Sequence, residues 1–462
     1  MKKHKNLTFC LILGAITLFI SCDGSTGPGN GGNGGNGGAW TLEEYRCADN
    51  PIADTLDGNR DDLGIPNAIV VKFNGNDPTT FTVPPAITEQ VTVTVNGGHI
   101  AIMAPYARTI FNMVLSGETP NGSLTLYGIP IVNGFYLNGV NITNPRGPAI
   151  NIQSSYGIPV YLVGGCGREN KLSDGPYLYN FVEGEDAKGT FFSEKRLAFY
   201  GNGYLEVRAV GDRLNGQAAH AIVVDNDLRI ESGHITIRES LGDGLHANDD
   251  IRIYGGTIQI ISTGDAIQNE VEGQTISINN AKVRLRTTGV KSHGIAGEDS
   301  TIIDGASDVR IHVTGNGAKG IRTRGFMGMR GGTLGITAEG TRDIDRIVIP
   351  PDTSNAAGIK VGNDIDNHPG EGNMEISGGT LSINARSAKY ARGLNIDGSL
   401  TITGGNTNIV SDNDGIRTRA NFSMSAGSLK ARASDGQDID CRGTYTHTGG
   451  TLDAPNRREG AN

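Results

Sequence analysis

The stretch Gly242–Ile260, GDGLHANDDIRIYGGTIQI, decides the fold. It opens with Asp243-Gly244-Leu245, bends at Asn248-Asp249-Asp250, alternates through Ile251-Arg252-Ile253, turns at Gly255-Gly256 and alternates again through Thr257-Ile258-Gln259-Ile260. Apolar residues at every second position suit strands, whose side chains point alternately to two faces; an amphipathic helix needs a period of 3.6. The double glycine supplies backbone angles that a β-carbon forbids, so the chain can turn a tight corner there.

The same unit returns along the chain. Aligning the apolar residue that follows a small one gives Ile222, Leu245, Ile267, Ile295, Ile321, Ile359, Leu394, Ile416 and Ile439, with spacings of 22 or 23 residues at the shortest steps. The double glycine recurs as Gly331-Gly332, Gly378-Gly379, Gly404-Gly405 and Gly449-Gly450. A fixed period of this size marks a solenoid, in which one turn cannot bury its own apolar face and stacked neighbours complete the core. The reading is an all-β, single-stranded parallel β-helix with roughly nine regular coils after a less regular all-β N-terminal part. The 69 glycines lack the Gly-X-Y period of collagen.

Composition narrows the partners. The formal charge is −9, so the basic footprint of a nucleic-acid binder is absent. Lys2, Lys3 and Lys5 precede an apolar run from Leu7 to Ile20, and Phe19-Ile20-Ser21-Cys22 follows. This pattern reads as a lipoprotein signal over residues 1–21, with Cys22 as the lipidated residue and an outer-membrane or cell-surface location. Residues 22–39 form a Gly/Asn tether unable to build a core. Residues 40–205 read as an N-terminal β section and cap, 206–454 as regular coils, and 455–462 as a polar tail. Residues 341–357 and 362–373 lengthen two consecutive coils, giving steps of 38 and 35 residues. Loops added to one face of a solenoid often wall a binding groove. After Cys22 the chain keeps Cys47, Cys166 and Cys441, whose spacing is not that of a zinc site; which of them pair stays open here.

Four segments in order carry a resemblance: Leu137-Asn138-Gly139-Val140-Asn141-Ile142, Lys171-Leu172-Ser173-Asp174-Gly175, Phe192-Ser193-Glu194-Lys195-Arg196-Leu197, and Asp243–Ile251 followed by Gly255-Gly256-Thr257-Ile258. From about residue 65 to 450 the chain resembles bacterial carbohydrate-binding domains built as right-handed parallel β-helices similar in shape to pectate lyases. The resemblance implies a surface-attached protein that binds plant-wall polysaccharide, including uronate polymers such as polygalacturonate, or cellulose, with calcium in the scaffold. The C-terminal coils depart from that pattern, with Arg where acids are expected.

The residue after each inward aliphatic points outward, and stacking sets these residues in a column about 4.8 Å apart per coil. That column reads Val223, His246, Gln268, Ala296, Arg322, Lys360, Asn395, Arg417, Asp440, and Arg324 and Arg419 stand two positions on. His246, Gln268, Arg322, Arg324, Lys360, Arg417 and Arg419 are therefore the candidate carbohydrate-binding residues, because a guanidinium pairs two-point with the carboxylate of a uronic acid. Asp243, Asn248, Asp249, Asp250, Asp265 and Glu270 crowd oxygen ligands in adjacent coils and are the candidate Ca²⁺ ligands. A calcium-dependent lyase would need a base, for which Lys291, Lys319, Lys360, Arg322, Arg417, His246 and His293 are available, yet no motif singles one out. A polysaccharide binder is the leading expectation, a pectate-type lyase the alternative, and a non-catalytic adhesin the third.

Overall fold

The computed structural model describes residues 42–45, 63–129, 132–180, 183, 185–212, 217–347, 352–363, 371–386 and 389–460. The signal segment, the lipidated Cys22, the tether and Cys47 lie outside the described residues.

Each coil contributes three short strands, taken in chain order to three parallel ladders. In the deciding stretch, Leu245–Ala247 belongs to ladder III, Ile251–Ile253 to ladder II and Thr257–Ser262 to ladder I. The register expected from sequence is the register observed: Ile222 pairs with Leu245, Leu245 with Ile267, Ile267 with Ile295, and the series continues through Ile321, Ile359, Leu394 and Ile416 to Ile439. All nine are fully buried in one continuous core. The column also runs upstream, through Phe191, Ile150 and Leu124 to Ile100. The N-terminal section is thus wound on the same register as the later coils. Its aromatics fill the wider turns, as where Phe191 meets Phe199 edge-on at 5.8 Å. The first coils are closed by antiparallel partners, Thr92–Asn96 on Gly98–Met103 and Asp77–Thr82 on Ala68–Asn74.

Two recurrent glycines have distinct causes. The second of each double glycine sits in the left-handed region, with φ between 69° and 84° at Gly256, Gly332, Gly379, Gly405 and Gly450. The glycine before the core aliphatic is instead required by packing: a Cβ on Gly244 would lie 2.4 Å from Ile260 Cγ2 and 2.6 Å from the Ala266 carbonyl. Gly320 against Ile336 and Gly358 against Ile383 repeat that contact.

Among the described residues of the first lengthened coil, Asp343–Asp345 and Asp352–Ser354 form an antiparallel pair ahead of the Ala357–Val361 strand of ladder III. Among the described residues Cys166 is disulfide-bonded and Cys441 carries a buried free thiol.

Candidate functional site

The outward column of ladder III is paired coil to coil as expected, from Val223 through His246, Gln268, Ala296, Arg322, Lys360, Asn395 and Arg417 to Asp440. Three positions earlier in each coil, two before the core aliphatic, stands a further column, His220, Asp243, Asp265, His293, Lys319, Ala357, Arg392, Asp414, Gln437. His220 and Arg392 in this column were not among the expected site residues. The signal that finds them is simple: subtract two from the core register.

The early coils hold an imidazole–carboxylate cluster. Asp243 Oδ2 lies 2.9 Å from His246 Nδ1 and 3.1 Å from His220 Nδ1, and the two rings stack with centroids 4.7 Å apart. His246 Nε2 faces Glu270 at 3.3 Å. Asp243 Oδ1 accepts the Asp265 amide at 2.8 Å, and the Gln268 amide, oriented to donate, reaches Asp243 Oδ2 at 2.9 Å and Asp265 Oδ2 at 3.2 Å. Burial alone would lower the His246 pKa, but hydrogen bonds and charge from Asp243 and Glu270 outweigh it and raise the value to about 9. For Asp243, burial opposes ionisation, yet the two histidines hold its carboxyl well below the usual range. Asp265 is pushed upward, first by burial and then by the neighbouring Asp243 charge.

The six expected calcium ligands do not converge. Asp249 accepts from the Asn226 amide at 2.8 Å, while Asp250 takes the Thr275 backbone N–H at 2.6 Å and pairs with Arg252. Asp243 and Glu270 meet imidazoles instead. The physical reason is that the Asn248-Asp249-Asp250 bend lies at the far end of the strand from Asp243 and Asp265.

The expected sugar-binding residues divide into three groups. His246 is 4 % exposed and bridges two carboxylates, and Gln268 serves Asp243 and Asp265. Arg322 Nη1 donates to Glu298 Oε1 at 2.9 Å, and Arg324 Nη1 pairs with Oε2 of the same residue at 2.7 Å. Lys360 Nζ donates to Asp397 Oδ1 at 2.6 Å, and Arg419 Nε lies 3.2 Å from that oxygen. These cations are engaged by acids in the adjacent coil. Of the residues considered as bases, Lys319 is buried and donates to Ser354 in the insertion, and His293 Nδ1 accepts the Lys319 amide at 3.1 Å. They do not gather with Lys291, which pairs with Asp343 at 3.4 Å.

The last coils are different. Asp440 accepts from Arg458 Nε at 2.6 Å, and the same carboxylate faces Arg417 Nε and Arg442 Nε at 3.8 Å each. Arg392 Nε stands 3.4 Å from Asp414. The Nε atoms of Arg392 and Arg417 are buried and donate to no acceptor among the described residues. Burial, then Arg392 and Arg442, push the Arg417 guanidinium below its ordinary value, with Asp414 opposing. Among the described residues, three guanidiniums thus share the one Asp440 carboxylate.

Comparison with known proteins now bears on this geometry. Residues 89–285 match the family model described as carbohydrate-binding domain-containing protein. A curated relative of that description from Acetivibrio thermocellus is 30% identical over 191 residues, which cover 34% of this chain and 62% of the relative. The matched region thus spans less than two thirds of that relative's length. A solved gadolinium derivative described as a polysaccharide lyase-like protein from C. thermocellum covers 83% of this chain and 98% of its own, at 18% identity and a TM-score of 0.32. Over residues 89–285, then, the chain has the sequence pattern of a carbohydrate-binding domain family; the parallel β-helix itself is established by the coil register above. The arginine-rich coils lie beyond the matched residues.

Proposed function

We propose that the outward face of ladder III binds an acidic polysaccharide, with the carboxylates of a uronate polymer such as polygalacturonate seated against Arg392, Arg417 and Arg442. The observation that carries this reading is the sharing of Asp440 among Arg417, Arg442 and Arg458. A carboxylate delivered by a ligand would pair with the guanidiniums and relieve the repulsion among them. Stacked coils repeat every 4.8 Å or so, so an extended polymer can be met by successive rungs. The family resemblance over residues 89–285 supports a sugar ligand of some kind.

A neutral glucan is less well served. Sugar rings stack on open aromatic faces, whereas Tyr136, Tyr161 and Tyr200 stack on one another at 4.8 and 5.3 Å on ladder II, and Phe422 stacks on Tyr445 at 5.0 Å. Their faces are spent. In this reading the protein is carried at the cell surface by lipid on Cys22 and acts as a binder. The test is retention on immobilised polygalacturonate, fully methyl-esterified pectin and cellulose. Retention on the first that is lost in high salt and on esterification supports the reading; equal retention on the ester or preference for cellulose refutes it.

A further inference from the structure

The imidazole–carboxylate cluster of the early coils plays no part in that binding reading, yet it is the most elaborately supported polar group on the face. Among the described residues, His220, Asp243 and His246 are the one group of three whose nitrogen and carboxylate atoms lie within 4.8 Å of one another. We propose that these three residues form a site for a divalent first-row transition cation of the zinc type, distinct from calcium. Two imidazoles and one carboxylate are the donor set that such cations prefer, and that leaves further coordination positions open to water or ligand.

Geometry supports the assignment in three ways. The contacts of Asp243 Oδ2 to the two Nδ1 atoms, 2.9 and 3.1 Å, are slightly shorter than the separation of about 3.3 Å between neighbouring ligands of a tetrahedral metal bonded at roughly 2.05 Å, so a small side-chain adjustment admits the ion. An oxygen and two ring nitrogens so close need positive charge between them, and a metal supplies it as well as protons do. The surroundings are those of a built site. His246 Nε2 faces the Glu270 carboxylate, the arrangement that fixes a metal-binding imidazole's tautomer and orientation. Asp243 Oδ1 is held by the Asp265 amide, while Oδ2 faces both imidazoles and also accepts from the Gln268 amide, whose hydrogen bond a metal would share. The competitor is the Asp243 N–H, which donates to His220 Nδ1 at 2.8 Å and which a metal must displace.

The coil register explains how the site arises. His220 and Asp243 occupy the same position in adjacent coils, and His246 stands three residues after Asp243 in the strand. Three ligands from two rungs are therefore set by backbone pairing before any metal arrives. Binding would tie together the rungs at Ile222 and Leu245, so the metal stabilises the native chain by mass action.

The experiment titrates untagged, chelator-stripped full-length protein with Co²⁺, Zn²⁺ and Ca²⁺, following visible absorption, calorimetry and melting temperature. Expected are one equivalent of Co²⁺ with visible bands, displacement of Co²⁺ by Zn²⁺, and a raised melting temperature, none of which Ca²⁺ reproduces. His220→Ala and His246→Ala should each abolish the cobalt spectrum. Glu270→Gln, a change at a half-exposed side chain that the fold tolerates, should weaken Co²⁺ binding roughly 10- to 100-fold while circular dichroism stays native. No cobalt spectrum in the wild type, a spectrum that survives in the His220→Ala/His246→Ala double variant, or an equal response to Ca²⁺ would overturn the proposal. Polygalacturonate retention is read separately, so either reading can fail without the other.

Discussion

Lys360 and Asp397 form a closed ion pair inside the outward face of ladder III: Nζ donates to Oδ1 at 2.6 Å with side chains 5% and 1% exposed. A charge this deep persists because its partner and Arg419 hold it, and removing one member strands the others. Lys360→Met is expected to lower stability by about 3–5 kcal/mol, read as a drop in the urea midpoint, while the folded variant retains polygalacturonate. A variant of unchanged stability that no longer binds would make Lys360 a ligand contact after all.

Arg322 and Arg324 both pair with Glu298, which is itself largely buried. Their charge is met within the protein, so Arg322→Gln should change uronate affinity less than twofold. A tenfold loss would move the binding surface toward the middle coils.

Gly244 has no room for a side chain, with Ile260 Cγ2 and the Ala266 carbonyl both inside 3 Å of where a Cβ would stand. Gly244→Ala therefore forces the coil to shift, at a cost of about 1–3 kcal/mol. Thermal unfolding should report a lowered midpoint; an unchanged midpoint would show that the corner has slack.

Tyr45 stacks on Tyr204 at 4.8 Å and meets His234 at 5.1 Å, while Glu43 exchanges hydrogen bonds with Gln259 and pairs with Lys282. Burial, and then Lys282, hold the His234 pKa below its ordinary 6.5. Because the released state takes the proton first, the stability of this docking is complete above pH 6.5 and falls as pH drops through the lower, docked value. The protection factors of the amides at residues 42–45, with the intrinsic exchange rate at each pH divided out, should be high at pH 7.5 and lower at about pH 5. His234→Phe should flatten the profile; a wild-type profile already flat contradicts the account.

Much of the fold was legible in the chain because a solenoid writes its register as a period. Ile222 through Ile439 could be aligned by eye, and the paired glycines marked the corners that positive φ later explained. The site was less legible. Sequence shows which residues share a column, yet not which are neutralised: Arg322, Lys360 and Arg419 looked like ligand cations until Glu298 and Asp397 proved to be their partners. The expected calcium ligands are likewise spread out, since Asp243 and Asp250 lie near in sequence but at opposite ends of a short strand. His220 and Arg392 are hard to find in the sequence because each stands two residues before its core aliphatic, outside the alternation that marks the outward column. Phe191 and Leu124, in coils of uneven length, hid how far the register extends toward the N-terminus.

The central claim is that unmet guanidinium charge in the last coils grips a polyanionic sugar chain, and the dissociation constant for oligogalacturonate tests it most directly when Arg392→Gln/Arg417→Gln is compared with wild type at low and at molar salt. The account predicts that the double variant binds at least tenfold more weakly at low salt, with its melting temperature preserved and its residual affinity nearly insensitive to salt. Equal affinity of the two proteins, with equal salt dependence, would contradict it.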